Sequence, residues 1–320
     1  MIEQNKKYFD NLEQLQNCSQ QNLSDLEIDL RTNQYQNEKI QDLCFYLSKC
    51  VNLSSLTLQF GKNKIDGKGA SQLFSALVNC TNIQSLALEL SQNSIGLDGP
   101  KQIGSTLAKC IKLSSLELQL RNNKIGGKIL ELFQGLTKCV NLQNLILQLE
   151  ENKIGTKTSD LASCLSMCVN LSNLTLNLHA SGVSDLGLSI SKLAHLSKLA
   201  LFLNWNLFSD DGVSGLSYGL SKCPDLLTLI LDLRSNIIYD YGAIQLGSSL
   251  AKCSNLQNLT VNLNSNLIGD AGSQELVISL AKCDNLLTLT IHLYCNDLLK
   301  QNLRSQILRT KRLVILIIFY

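Results

Sequence analysis

A short aliphatic pattern recurs along this chain at a nearly constant spacing, and that spacing limits what the chain can fold into. Each copy has the form L-x-x-L-x-L-x-L-x-x-N, as in the copy that runs from Leu113 to Asn123. The leading aliphatic residues are spaced by 30, 30, 30, 29, 29, 25, 30, 30, 30 and 27 residues; they are Leu23, Leu53, Ile83, Leu113, Leu142, Leu171, Leu196, Leu226, Leu256, Leu286 and Leu313. Such a period indicates stacked repeats, each too small to bury its own apolar face.

Each copy divides into a strand, a turn and a helix. Leucines at the fourth, sixth and eighth places, counted from the leading residue, alternate with mostly polar residues and predict a strand with one buried face. The following helical segment has apolar residues at i, i+4 and i+7, as at Leu73, Leu77 and Cys80. An asparagine at the eleventh place carries a donor and an acceptor, so we expect a ladder of asparagines that pairs with the turn backbone. They are Asn33, Asn63, Asn93, Asn123, Asn152, Asn206, Asn236, Asn266 and Asn296.

This arrangement resembles leucine-rich repeats of the ribonuclease-inhibitor type over roughly residues 20–320. The resemblance implies an α/β solenoid, a horseshoe with a parallel β-sheet on its concave side and helices on its convex side. The strand block has an additional x-Leu before the asparagine, so we expect longer strands and leave the curvature open. The helix ends, such as Ser221-Lys222-Cys223-Pro224-Asp225-Leu226, look like the cysteine-containing repeats of ubiquitin-ligase adaptors.

The unbroken repeat predicts one elongated domain. Residues 23–320 form about ten repeats and a final strand, which would leave an open apolar end. Residues 1–22 precede them as a cap or a tail. Tyr8, Leu12 and Leu15 share one helical face and favour a short capping helix, whereas the many Gln and Asn residues nearby favour a loose tail.

Eight of the twelve cysteines lie three places before a leading aliphatic residue, which assigns them one shared role: Cys50, Cys80, Cys110, Cys139, Cys168, Cys223, Cys253 and Cys283. We expect reduced thiols that fill a small buried slot at each helix end. A disulfide needs Cα atoms about 5.5 Å apart, whereas neighbouring helices lie about 8–10 Å apart. The sequence has no CxxC pair to begin a zinc site, so no metal is expected.

No motif in the sequence indicates catalysis. The three histidines, His179, His195 and His292, lie outside any recognisable catalytic pattern, and no glycine pattern matches a phosphate loop. The net charge of +2 gives no reason to expect nucleic acid or an anionic membrane as a partner. The longest apolar run has eight residues, and the first residues are polar, without a secretory signal. We therefore expect a cytoplasmic protein without enzymatic activity or cofactor, and a monomer unless the open C-terminal end docks.

Stacking creates one large surface, because the residues that alternate with the strand leucines all face outward. At the seventh and ninth places, the first half of the chain has polar or charged residues and one glycine, and aromatic residues enter from Phe202 onward. Interface hot spots favour Trp, Tyr and Arg. We predict that an unidentified protein partner binds Asn177, His179, Phe202, Asn204, Trp205, Asp232, Arg234, His292 and Tyr294.

Two questions stay open in the sequence. Only 25 residues separate Leu171 from Leu196, a shortening of more than one helical turn, and Trp205 could fold inward to fill that space. The chain could also be an adaptor or regulatory segment of a larger ligase- or kinase-type protein. A third hypothesis is a GTPase activator that resembles the Ran-type activators, motivated by Arg121 and Arg234 at strand ends.

Overall fold

The computed structural model describes residues 6–16, 23–31, 35, 37–154, 158–178, 183–293 and 315–319. They fall into two compact units, Met1–Lys157 (unit 1) and Thr158–Tyr320 (unit 2). The sequence predicted a division into residues 1–22 and 23–320, and that division stays a prediction. No helix in the described ranges is long and apolar enough to cross a membrane.

Unit 1 alternates strands and helices, and each of its strands is parallel to the next. The elements are β1 (Lys6–Phe9), α1 (Leu12–Gln16), β2 (Asp25–Asp29), α2 (Asn37–Leu47), β3 (Ser55–Gln59), α3 (Gly67–Leu77), β4 (Ser85–Glu89), α4 (Gly99–Leu107), β5 (Ser115–Gln119), a 3-10 turn (Gly126–Ile129), α5 (Leu130–Leu136) and β6 (Asn144–Gln148).

Unit 2 repeats the same alternation, again with parallel neighbours. Its elements are α6 (Thr158–Leu165), β7 (Asn173–Asn177), α7 (Val183–Ile190), β8 (Lys198–Phe202), α8 (Asp210–Leu220), β9 (Thr228–Asp232), α9 (Asp240–Leu250), β10 (Asn258–Asn262), α10 (Asp270–Leu280), β11 (Thr288–His292) and β12 (Ile315–Phe319). The predicted fold class is confirmed, since unit 1 and unit 2 are each an α/β solenoid built from leucine-rich-repeat-like repeats. The final strand predicted from Leu313 to Tyr320 is present as β12.

The core of each repeat lies between the inward strand leucines and one face of the following helix. In β3, Leu56 and Leu58 are fully buried, and Leu73 and Leu77 of α3 are buried as well. Strands β2 to β12 have five residues each, but the additional x-Leu continues the parallel pairing beyond them. The Phe60 amide donates to the Glu89 carbonyl at 2.7 Å, and the Lys62 amide donates to the Ser91 carbonyl at 2.9 Å. The extra pair of residues thus lengthens the paired backbone.

One local prediction was wrong. Tyr8 lies in strand β1 and is exposed, so the helix begins only at Leu12 and the helical face drawn through Tyr8 does not exist. Helix α7 has 8 residues, the same number as α6 in a repeat of ordinary length, so the loss of more than one helical turn from the short repeat stays a prediction. The cysteine missing from this repeat is replaced by Leu193, which is fully buried.

The asparagine ladder is confirmed in both units. In unit 1, Nδ2 of Asn123 donates to the Leu120 carbonyl of its own repeat at 3.0 Å and to the Leu90 carbonyl of the preceding repeat at 2.8 Å. Its own backbone amide donates to Oδ1 of Asn152 at 2.8 Å. The same pattern recurs in unit 2, where Asn236 bridges two turns. Each side chain therefore satisfies backbone groups of two repeats at once. Asn33 and Asn296 lie outside the described residues.

The cysteine register has the structural role that its spacing predicts. The eight thiols are free and buried, and several donate to a carbonyl of the previous repeat, as Cys139 does to Leu107 at 3.5 Å and Cys223 does to Ile190 at 3.5 Å. Burial raises the pKa of the Cys80 and Cys223 thiols to about 12. Such thiols are protonated at physiological pH and are poor nucleophiles.

We expect Asn123→Ala to lower the free energy of unfolding by about 1–3 kcal/mol, because buried carbonyls lose their donor. The matched control is Gln119→Ala in the adjacent strand, where the partly exposed side chain contacts Glu117 and the change should stay within about 0.5 kcal/mol. Urea unfolding of both variants measures the difference. Equal losses would contradict a stabilising ladder.

We expect the register cysteines to resist alkylation in the native protein at pH 8. A thiol with a pKa of about 12 has on the order of one thiolate per ten thousand molecules at that pH. Mass spectrometry after iodoacetamide treatment should find Cys80 and Cys223 labelled only once the chain is unfolded. Native labelling of these residues, or a Cys80–Cys110 bridge, would overturn the assignment.

Candidate functional site

The outward residues of β7 to β11 form one surface, which we call the unit 2 strand face. At the seventh place of each repeat the strand register sets Asn177 beside Phe202, Phe202 beside Asp232, Asp232 beside Asn262 and Asn262 beside His292. Neighbouring parallel strands lie about 4.8 Å apart, so these side chains occupy one continuous row. The structure therefore brings together four residues of the predicted site, Asn177, Phe202, Asp232 and His292.

Asp232 and Arg234 form an ion pair at the centre of this face. Nε of Arg234 lies 3.2 Å from Oδ2 of Asp232, and Oδ1 accepts the Arg234 backbone amide at 3.2 Å. Asp232 is buried, while half of the Arg234 side chain is exposed. The carboxylate therefore holds a guanidinium in a fixed position with its remaining donors toward solvent. Arginines held in this way suit planar recognition of a partner's carboxylate or carbonyl groups.

An apolar strip lies beside this pair. Phe202 is half-buried rather than fully exposed, and it neighbours Asp232 in the register. Ile230 is 36% exposed and lies between Ala200 and Thr260 at the fifth place. An apolar strip next to an oriented arginine is the composition that interface hot spots have.

His292 belongs to the same row, next to strand β12, and is half-buried. Burial lowers the pKa of its imidazole below the ordinary value, and the Arg234 guanidinium acts in the same direction while the Asp232 carboxylate opposes both. The ring is therefore predominantly neutral at pH 7 and can both donate and accept a hydrogen bond.

Trp205 lies in the turn after β8 and is 70% exposed. Its φ is +60°, and the tenth-place residues of other repeats share this left-handed conformation, as Ser235 does with φ +56° and Ser265 with φ +55°. The Trp205 amide donates to the Arg234 carbonyl at 3.2 Å, which joins the backbone of this turn to that of the next repeat. The alternative that Trp205 folds inward to fill the short repeat is wrong.

The remaining predicted site residues are less informative. Asn204 is half-buried at the ninth place, and its carbonyl accepts Nδ2 of Asn206 at 3.2 Å. His179 and Tyr294 lie outside the described residues.

Unit 1 contains a groove that the sequence reasoning missed. It has a volume of about 630 Å³ on the outward strand face and is lined by Asp29, Arg31, Gly61, Lys62, Glu89, Ser91, Gln92, Gln119, Arg121, Gln148 and Glu150. A Cβ at position 61 would collide with the Glu89 carboxylate, so the glycine makes room for that side chain. The signal in the sequence was the one glycine in an otherwise polar or charged set of outward positions.

The arginines of this groove are paired internally. Arg31 contacts both carboxylate oxygens of Asp29, and Nη2 of Arg121 lies 2.5 Å from Oε1 of Glu151. The Arg31 side chain lowers the pKa of Asp29 below its usual range. The Arg31 and Arg121 side chains are exposed enough to exchange these carboxylates for acceptors of a bound protein.

Within the described residues, no group of three or more His, Cys, Asp or Glu side chains could hold a metal ion. In each unit, the outward face of the strands and the edge of the turns that follow them are exposed to solvent. These features define a class of protein, a leucine-rich-repeat-like α/β solenoid.

No protein-family model and no curated protein matches the chain. One solved structure that it resembles is leiomodin-1 actin-binding site 2, at a TM-score of 0.38 and 14% identity, over 47% of this chain and 86% of that chain. Similarity at that level carries no argument about a partner.

We expect Trp205→Asn to leave the free energy of unfolding unchanged or raise it by up to about 1 kcal/mol, because Asn tolerates the left-handed region better than Trp. The control is Phe208→Ala, three residues later, where a buried ring is lost and about 3–5 kcal/mol should disappear. Denaturant unfolding compares the two. A loss of more than about 2 kcal/mol in Trp205→Asn would mean that the indole packs in the core.

Proposed function

We propose that this chain is a non-catalytic protein-interaction scaffold, with repeats of the ribonuclease-inhibitor type, that acts in the cytoplasm. It binds a protein partner through the unit 2 strand face. The observation that carries the proposal is the combination of Phe202 of β8 with Ile230 and the ion pair of Asp232 and Arg234 on the adjacent repeat. Apolar area supplies affinity, and the oriented guanidinium supplies specificity.

The internal pairing of the arginines favours binding over GTPase activation. An activator of that kind places a guanidinium against the transferred phosphate. Arg121 and Arg234 are each held by a carboxylate of their own unit and would have to leave it first. The alternative of an adaptor segment of a larger protein has the same binding mode, and it differs only in what is attached to the chain.

A photo-crosslinking experiment tests the face directly. A photoreactive residue at position 262, beside Asp232 and His292 in the register, should capture a partner from a native lysate. The matched control carries the same group at Tyr218, which is exposed on helix α8. We expect an adduct from position 262 that is absent from position 218.

Two variants then test the residues. Phe202→Ala and Arg234→Ala, each combined with the group at position 262, should reduce the yield of the adduct at least threefold. The melting temperature of each variant is measured in parallel. A lowered melting temperature with an unchanged yield would refute the docking role, as would an equal adduct from position 218.

A further inference from the structure

The turns of unit 2 expose a row of large apolar side chains that lies outside the strand face. Leu207, Ile237 and Leu267 occupy the twelfth place of three successive repeats and are 84%, 39% and 50% exposed. Trp205 precedes the first of them and is also exposed. We call these four residues the turn row.

The turn row is continuous because the turns are bonded to one another. The Ile237 amide donates to the Phe208 carbonyl at 2.9 Å, and the Leu267 amide donates to the Ile238 carbonyl at 2.8 Å. Each apolar residue therefore lies one repeat from the next, at the roughly 4.8 Å spacing of parallel strands. Buried neighbours on the inner side, Phe208 and Ile238, fix the backbone of these turns.

The fold does not require apolar residues at this place. In unit 1 the twelfth place holds Lys64, Ser94, Lys124 and Lys153, and all four residues are exposed. The same backbone geometry is thus compatible with charged residues. The apolar row is a property of these repeats, and water is a poor environment for it.

Acidic residues border the turn row. The segments 205–217, 235–247 and 265–277 contain five acidic residues and neither Lys nor Arg: Asp210, Asp211, Asp240, Asp270 and Glu275. Two of them are fixed in place, because Oδ1 of Asp210 accepts the Tyr239 amide at 2.8 Å and Oδ1 of Asp240 accepts the Gly269 amide at 2.6 Å. Asp210, Asp211, Asp240 and Asp270 form a negative border at the starts of α8, α9 and α10.

We propose that the turn row docks a cationic amphipathic helix of a partner protein. On a helix, residues at i, i+4 and i+7 rise by about 4.5–6 Å per step, which matches the spacing of the repeats. Lysine or arginine residues beside that apolar stripe would face the carboxylates of the border. This site is separate from the strand face, and it does not depend on the function proposed for that face.

Trp205 is the one tryptophan of the chain and reports on the site directly. The probe is a tryptophan-free, cross-linked helical peptide of about 18 residues, long enough to hold its helix, with leucines at i, i+4, i+7 and i+11 and flanking lysines. A second peptide keeps the leucines and replaces each lysine with glutamate. We expect the lysine peptide to shift Trp205 emission to the blue and to protect it from acrylamide. The glutamate peptide should bind at least tenfold more weakly.

Variants locate the effect. Leu207→Lys places in the turn row the residue type that unit 1 has there, and it should weaken binding at least tenfold without lowering the melting temperature, since Leu207 is largely exposed. The matched control Ile111→Lys changes an exposed aliphatic residue of unit 1 and should bind the peptide normally.

Three results would overturn the proposal. The first is an absent shift or equal binding by the Leu207→Lys variant. The second is a dimer in sedimentation experiments that Leu207→Lys dissociates, which would assign the turn row to a second copy of the chain. The third is a blue shift with phosphatidylcholine vesicles that the same variant removes, which would assign it to a lipid surface.

Discussion

The turn after each strand is the constraint on which the rest of this structure depends. There the chain leaves the sheet between two repeats, and its carbonyl and amide groups lose their strand partners in a place that water does not reach. The eleventh-place asparagine satisfies both kinds of group, because its amide donates to carbonyls of two repeats and its oxygen accepts the amide of a third position. Without that side chain, stacking would bury polar groups at a cost that the small core of a single repeat could not offset.

The same turn explains where this chain is free to vary. The tenth-place backbone is left-handed in repeats with Lys, Gln, Asn, Glu, Ser or Trp at that place, so the fold imposes the conformation and not the side chain. A tryptophan is held there, as Trp205, against its own preference, with most of its indole in solvent. Because the asparagine beside it secures the turn, neither the tenth nor the twelfth place is needed for the core. Surface chemistry can therefore change from repeat to repeat without any change in the core.

Much of the fold could be predicted because a solenoid repeats the same strand, turn and helix along the chain. The period places the strands, the alternation selects the buried leucines, and the shared register of the cysteines assigns them to the helix ends. The sequence could not say how far a side chain is covered. The alternation predicts an exposed Phe202, which is half-buried, and leaves open whether Trp205 is exposed, which its 70% exposed side chain decides. Tyr8, Leu12 and Leu15 fit a helical spacing, whereas Tyr8 belongs to the four-residue strand β1 and the helix starts only at Leu12. The groove beside Gly61 depends on the absence of a Cβ, which the sequence marks only by that single glycine.

The strand face and the turn row of unit 2 differ in the contacts that their side chains already make before a partner binds. On the strand face, Arg234 is already paired with Asp232, so a partner gains specificity only by matching or exchanging a contact that exists. On the turn row, the apolar side chains are exposed to solvent. The carboxylates of Asp210 and Asp240 are anchored through backbone amides, and the same segments contain neither Lys nor Arg. Burial of the apolar side chains then lengthens the lifetime of a complex. Electrostatic attraction between the carboxylates and a cationic partner raises its rate of formation. A single repeat unit can in this way offer two surfaces with different recognition chemistry, because the buried ladder between them does not change.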